Sequence, residues 1–215
     1  MIVESVAKAP AKKQSPARKK AEKIPDYLVR EVIDGIPFYY PGFREVMNKT
    51  KTIEEIMADS ILQSLLKNFL GDLLKAHLDK KLFLVLAGET GSHVDRRNNM
   101  GLDVVVFDKT ILTPDKITTK YSNVPPKIVV EIDVNVEVND TGVDLFSDFV
   151  LRKVRRLFAF GTEKVVWIFS RSKLVMVAKP DAPLQILDWD QDVELLDGIT
   201  CNIAKYLEEE GISLP

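Results

Sequence analysis

Residues 101–108, Gly-Leu-Asp-Val-Val-Val-Phe-Asp, and residues 125–134, Pro-Pro-Lys-Ile-Val-Val-Glu-Ile-Asp-Val, decide how this chain folds. Each is a continuous β-branched run opened by glycine or proline, the pattern of a strand buried on both faces. Each also carries carboxylates where an aliphatic side chain would pack better: Asp103 in the first, Glu131 and Asp133 in the second. A buried, unpaired carboxylate costs on the order of several kcal/mol and so demands a cation or a proton. The strand period of two places Glu131 and Asp133 on one face and Ile128, Val130, Ile132 and Val134 on the other. If the two strands are neighbours, Asp103 comes within ~5 Å of Glu131, the usual cross-strand reach.

Working outward, Leu82–Ala87 forms a third apolar run that ends at Gly88-Glu89-Thr90-Gly91, so Glu89 sits at a strand end. A polar loop from Asp95 to Asn99 separates it from the 101–108 strand. Residues 27–40 alternate loosely around Asp34-Gly35, the signature of a small hairpin. From Thr52 to Leu78 the apolar residues recur at helical spacing, predicting one long amphipathic helix bent near Gly71. His77 falls near its end as a surface residue. Downstream, residues 144–160 return to helical spacing and Gly161 stops the helix. Lys164–Phe169 reads as a strand, followed by a return through Leu174 to Val177, a loop or short strand from Asp192 to Ile199, and a last helix to about Glu210. The order predicts an α/β domain: a central mixed sheet flanked by helices, with additional C-terminal strands.

The chain has 215 residues and 46% hydrophobic content, enough for one well-packed domain over residues 25–215. Residues 1–24 carry seven basic and two acidic side chains, leaving about −7 on the rest of a chain whose net charge is −2. This segment reads as a basic disordered tail that can hold phosphate backbones without reading sequence. No apolar run reaches the roughly 18 residues a membrane span needs, and Met1–Val6 lacks the features of a secretory signal. With one cysteine, Cys201, no internal disulfide can form, so a cytoplasmic location is expected and Cys201 reads as a packing residue. "GETG" at 88–91 lacks the length and lysine of a phosphate-binding loop, and no nucleophilic Ser or Cys arrangement is present. His93 has no partner at metal-ligand spacing and belongs to a loop or a site rim.

Converging carboxylates repel one another, and a hard divalent ion resolves the repulsion. Magnesium suits a site of one or two carboxylates, a carbonyl and waters. The plainer reading pairs the acids with Arg96, Arg97, Arg152 or Arg155. Lys153 is the cation best placed to serve such a site, flanked by the apolar-face residues Phe149 and Val154; the plainer reading makes it a surface lysine of the basic run 152–156.

Taken in order, "EVIDGIPFYY" (31–40), the long helix, "GLDVVVFD" (101–108), "PPKIVVEIDV" (125–134), "RKVRRLFAFGTEKVVWIF" (152–169) and "LLDGI" (195–199) resemble the Uma-type restriction-endonuclease family of the PD-(D/E)XK nuclease-like superfamily. The resemblance spans most of residues 25–215. It implies a restriction-endonuclease-like core, Asp103 and Glu131 as catalytic acids and Mg²⁺ ligands (Mn²⁺ the alternative), and Lys153 as the catalytic lysine. The superfamily's lysine lies two residues after the glutamate, where this chain has Asp133, which becomes a third metal ligand; Glu89 is an additional acid. The spacing from Glu131 to Lys153 is longer than in the family, and Trp167 falls one residue later. The implied activity is metal-dependent hydrolysis of phosphodiester bonds in nucleic acid, DNA first, by a soluble protein that could act as a homodimer. Removing Asp103 or Glu131 is then expected to abolish turnover and spare the fold. Two other readings remain: a catalytically inactive nucleic-acid-binding or interaction protein on the same fold, and a structural domain whose acids are ion-paired.

Overall fold

The computed structural model describes residues 23–96, 98–133, 136–138 and 144–214. Residues 1–22, nearly all of the predicted basic tail, lie outside the described residues, as do Arg97 and Val134.

A 3₁₀ turn at Asp26–Leu28 leads into β1 (Val29–Ile33) and β2 (Ile36–Tyr39), paired antiparallel. Asp34 and Gly35 both take positive φ, 54° and 81°, the geometry a two-residue hairpin turn requires. Two short helices follow, α1 (Phe43–Met47) and α2 (Glu54–Met57), then α3 (Ile61–His77). The predicted single helix is therefore broken at residues 58–60, where the Ser60 side chain caps α3 by accepting from Gln63 N. Gly71, expected to mark a bend, instead lies inside continuous helix because α3 presses on the sheet there. A Cβ at Gly71 would come within 2.9 Å of Ala87 Cβ. Gly71→Ala would gain about 1 kcal/mol of helix propensity but lose about 1–3 kcal/mol to overpacking. A net fall in melting temperature is expected, read by thermal denaturation of the two proteins side by side.

The next two strands are longer than predicted: β3 (Phe83–Asp95) and β4 (Asn98–Asp108) form one extended hairpin. The residues read as a polar loop lie at its tip, where Asp95, Arg96 and Asn99 are exposed and Asn98 is buried. Asp95 closes the hairpin end by accepting from Asn98 Nδ2. After a 3₁₀ turn at Pro114–Lys116 comes β5 (Ile128–Ile132), buried at every position. A π-helical stretch at Leu145–Leu151 runs into α4 (Arg152–Phe160), stopped by Gly161 as expected. Then follow β6 (Lys164–Phe169), β7 (Leu174–Ala178), β8 (Gln185–Asp188), β9 (Val193–Leu196), β10 (Ile199–Cys201) and α5 (Ile203–Glu209).

The main sheet has six strands in the order β3-β4-β5-β6-β7-β8, with β5 and β6 parallel and the other neighbours antiparallel. This is the mixed sheet the sequence predicts. Leu66, Leu70 and Leu74 of α3 pack on one face with Val104, Val106, Val130, Ile132 and Val166, and α5 joins them through Ile203 and Leu207. Phe149, Val154 and Leu157 cover the other face over Val105, Phe107, Val129, Val165 and Trp167. Cys201 is buried in the first of these cores, and burial, with the charge of Asp192, pushes its thiol up to about 12, so it packs rather than reacts. Among the described residues, no helix is long and apolar enough to cross a membrane.

Candidate functional site

The register that pairs Val104 with Val130 continues toward Asp103 beside Glu131, so β4 and β5 bring these two acids together. A bulge on β3 around Gly88-Glu89 faces this point. Across it the alternation of β4 falls out of step: Met100 and Leu102 belong to the α4-side core, Val104 and Val106 to the α3-side core. Bulges re-aim side chains in this way, and Asp103 occupies the crossover.

Asp103 reaches Lys67 of α3, Oδ1 lying 2.7 Å from Nζ, and its Oδ2 accepts from Ile132 N at 2.8 Å. Lys67 also donates to Asp59 Oδ2 at 2.7 Å. Burial alone would lower the Lys67 pKa, but hydrogen bonds and charge from Asp103 and Asp59 outweigh it and hold the ammonium protonated. Glu131 faces the other layer. Its neighbour across the parallel pair is Trp167, and Lys153 Nζ lies 3.1 Å from its Oε1. That contact is ionic without hydrogen-bond alignment, so both Glu131 carboxylate oxygens are buried with no hydrogen-bond partner.

Lys153 has no solvent exposure at all. Its ammonium donates to Glu31 Oε1 at 2.7 Å and to Gly101 O at 3.2 Å, with the Phe149 and Trp167 rings 5.8 and 5.9 Å away. Desolvation opposes its charge, but Glu131 and Glu31 more than offset this and raise its pKa. For Glu131 burial dominates: with the Asp103 and Glu31 charges added, it outweighs Lys153 and pushes the carboxyl up to about 8. Two lysines thus approach the end of β4 and β5 from opposite faces of the sheet, each held by acids.

The other expected site residues lie elsewhere. Asp133 does not share a strand face with Glu131, because β5 ends at Ile132 and Asp133 turns away with φ 48°. Its Oδ1 accepts from Ser170 N at 2.6 Å, which ties the β5 end to the β6–β7 turn. Glu89 is not at a strand end but at the bulge inside β3, mostly exposed, 3.6 Å from Arg30. Arg152 pairs with Asp34 and Asp148 rather than with the central acids. His93 is a strand residue hydrogen-bonded to Asn99, and the exposed His77 sits at the last turn of α3 against Leu73 O.

Sequence reasoning missed Glu31, Lys67 and Asp59. Lys67 had a readable signal: Gln63, Lys67 and Gly71 recur every four residues on the face that also buries Leu66, Leu70 and Leu74. Glu31 had one too: it lies two residues before Ile33, and the two are the buried alternate positions of β1.

Among the described residues, no group of three or more His, Cys, Asp and Glu side chains is placed to hold a metal ion. A divalent site here must rest on Glu131 and Asp103 with carbonyl and water ligands. The Glu131 oxygens, which have no hydrogen-bond partner, fit that role; Asp103 is aimed at Lys67 on the α3 side and fits only by turning from Lys67 toward the Glu131 side. Because Asp103 neutralises a buried lysine and caps a backbone N–H, its removal will not spare the fold as expected from carboxylate repulsion alone. Asp103→Ala should destabilise by about 2–4 kcal/mol, measured by urea denaturation, with Asp59 limiting the loss.

No family model matches the chain, and no curated protein matches it. Among solved structures, its fold is similar to that of a candidate nuclease belonging to DUF820 from Anabaena variabilis, with a TM-score of 0.59 at 13% sequence identity. The similarity covers 83% of this chain and 89% of that one. At that identity the likeness speaks for architecture alone: the mixed α/β fold of this chain is similar to that protein's.

Proposed function

We propose that the chain is a metal-dependent nuclease whose reacting centre is Glu131, Asp103 and Lys153. The observation that carries this reading is Glu131. Both of its oxygens are buried without a hydrogen-bond partner, and the Lys153 ammonium makes an ionic contact with Oε1 alone, a costly arrangement that a fold has no packing reason to keep. Similarity of fold to a candidate nuclease supports it.

Glu131 and Asp103 would hold Mg²⁺ or Mn²⁺, which when bound would polarise a phosphate oxygen and acidify water for attack on a phosphodiester. Asp103 is anchored through Oδ2 to the backbone of β5, and its Oδ1 would have to exchange Lys67 for the ion. Glu131, whose carboxyl burial pushes up, would have to release its proton to serve as a ligand. Lys153, oriented by Glu31 and Gly101 O, would stabilise charge that grows on the phosphate oxygens once the β1–β2 hairpin that closes over it gives the substrate access. DNA as substrate and action as a homodimer are part of the same proposal. The test is cleavage of plasmid and single-stranded DNA with Mg²⁺ or Mn²⁺, with EDTA and Glu131→Gln as controls. Cleavage in wild type, lost in both controls, is expected; wild-type cleavage no greater than that of Glu131→Gln sinks the reading.

A second reading has its own observation. Each lysine and acid of the centre already has an ionic partner within the chain, as in a structural, ion-paired core. Such a core would be stable with or without divalent ions, a contrast that the pH experiment below exploits.

A further inference from the structure

We propose that a single strand of nucleic acid lies in the groove between the β1–β2 hairpin and the distal β3–β4 hairpin, with one unpaired base stacked on Tyr121. This rests on the nuclease reading and adds the substrate form.

An open groove of about 700 Å³ has Glu31 and Gly101 in its wall, the two groups that hold Lys153. It leads from the buried acids toward Tyr121 and Asn99, which also line a second groove of about 580 Å³. The two meet at Tyr121, whose side of the molecule carries the exposed cations Arg96, Lys116 and Lys120. Asp26 and Asp115 are the exposed acids of the same walls, so the lining is mixed but tilted toward positive charge.

Tyr121 is 60% exposed, yet it is not loose. Its ring lies flat against the backbone of Gly91, where a Cβ would come within 2.5 Å of Cδ1. The adjoining residue Ser122 donates N–H to Gly91 O and accepts from His93 N, so the segment is zipped to β3. One ring face is thus spent on the protein while much of the ring stays open, already fixed in place. A fixed aromatic beside cations is the arrangement that binds single strands, since every unpaired base offers a π-face and a duplex conceals it.

The test uses the full chain in EDTA, so that binding is scored apart from catalysis. Fluorescence anisotropy with a labelled single-stranded oligonucleotide, and with its duplex, compares wild type, Tyr121→Phe and Tyr121→Ala, each checked for an unchanged melting temperature. The expected result is tighter binding of the single strand, a loss of about tenfold in Tyr121→Ala, and wild-type affinity in Tyr121→Phe. Arg96→Ala with Lys120→Ala should flatten the salt dependence of single-strand binding. Equal affinity of Tyr121→Ala and wild type for the single strand overturns the proposal, as does duplex binding as tight as single-strand binding. Binding as expected in a protein that never cleaves would sink the nuclease reading and leave the groove assignment standing.

Discussion

Lys153→Met is expected to cost about 3–5 kcal/mol of stability at pH 8. Methionine fills nearly the same space, so the loss is electrostatic rather than a cavity. The ammonium lies 2.7 Å from Glu31 and 3.1 Å from Glu131, and all three side chains are essentially out of contact with water. Removing it strands two buried carboxylates and leaves Gly101 O without that donor. Glu131, already pushed up by burial, would rise further. Wild type keeps its Glu131 proton up to about pH 8 and the variant keeps it higher still, so the deficit should widen from pH 8 to about pH 9.5. Urea denaturation at both pH values measures this, and Glu131→Gln in the Lys153→Met background should restore part of the loss. A deficit under about 1 kcal/mol at both pH values would mean that Lys153 contributes packing alone.

The same residue shows what the sequence could and could not disclose. The β-branched runs 102–107 and 128–132, the glycine stop at 161 and the Asp34-Gly35 turn are local signals, and each element forms where its own residues dictate. Lys153 was legible as a candidate because a cation stood between the apolar-face residues Phe149 and Val154, yet its burial depended on a partner 122 residues away. Asp133 shows the opposite failure. Periodicity carried it along β5 as a ligand, but the strand ends one residue earlier and a positive φ redirects it to Ser170. The distal β3–β4 hairpin was hidden for another reason: among its buried positions Ser92 and Asn98 are polar, so its alternation does not read as an apolar face.

The hairpin that supplies Glu31 also explains why the centre is closed. Asp34 at its turn accepts from Arg152 and pairs with Arg156, and Asp34 N donates to Asn98 Oδ1. One short hairpin is therefore held to α4 by three cations and to β4 by a backbone bond. Since Lys153 and Arg152 are adjacent in sequence, the lysine is oriented by the same contacts that seat the hairpin. Precise placement of a charged group by residues locked on regular elements is what a reacting centre requires.

Glu131→Gln separates the two readings of that centre. In the metal-free wild type, a carboxyl whose folded pKa is about 8 lies well above its unfolded value. Its contribution to stability is fully present below the unfolded pKa and is lost as pH rises through the folded one. Each tenfold difference in proton affinity is worth about 1.4 kcal/mol, so wild type should lose several kcal/mol relative to Glu131→Gln between pH 5 and pH 9. Glutamine keeps the shape and has no proton to lose, so the variant should be the more stable protein at high pH. Addition of Mg²⁺ or Mn²⁺ should raise the melting temperature of wild type by mass action, more at pH 8.5 than at pH 6.5, because the ligand must first release its proton. Glu131→Gln should show neither the divalent response nor cleavage. If wild type keeps the pH slope but ignores divalent ions at both pH values, the acids serve the fold alone and the metal reading fails. If the slope itself is missing, the Lys153 ammonium holds Glu131 ionised and the balance at this centre belongs to the ion pair rather than to burial.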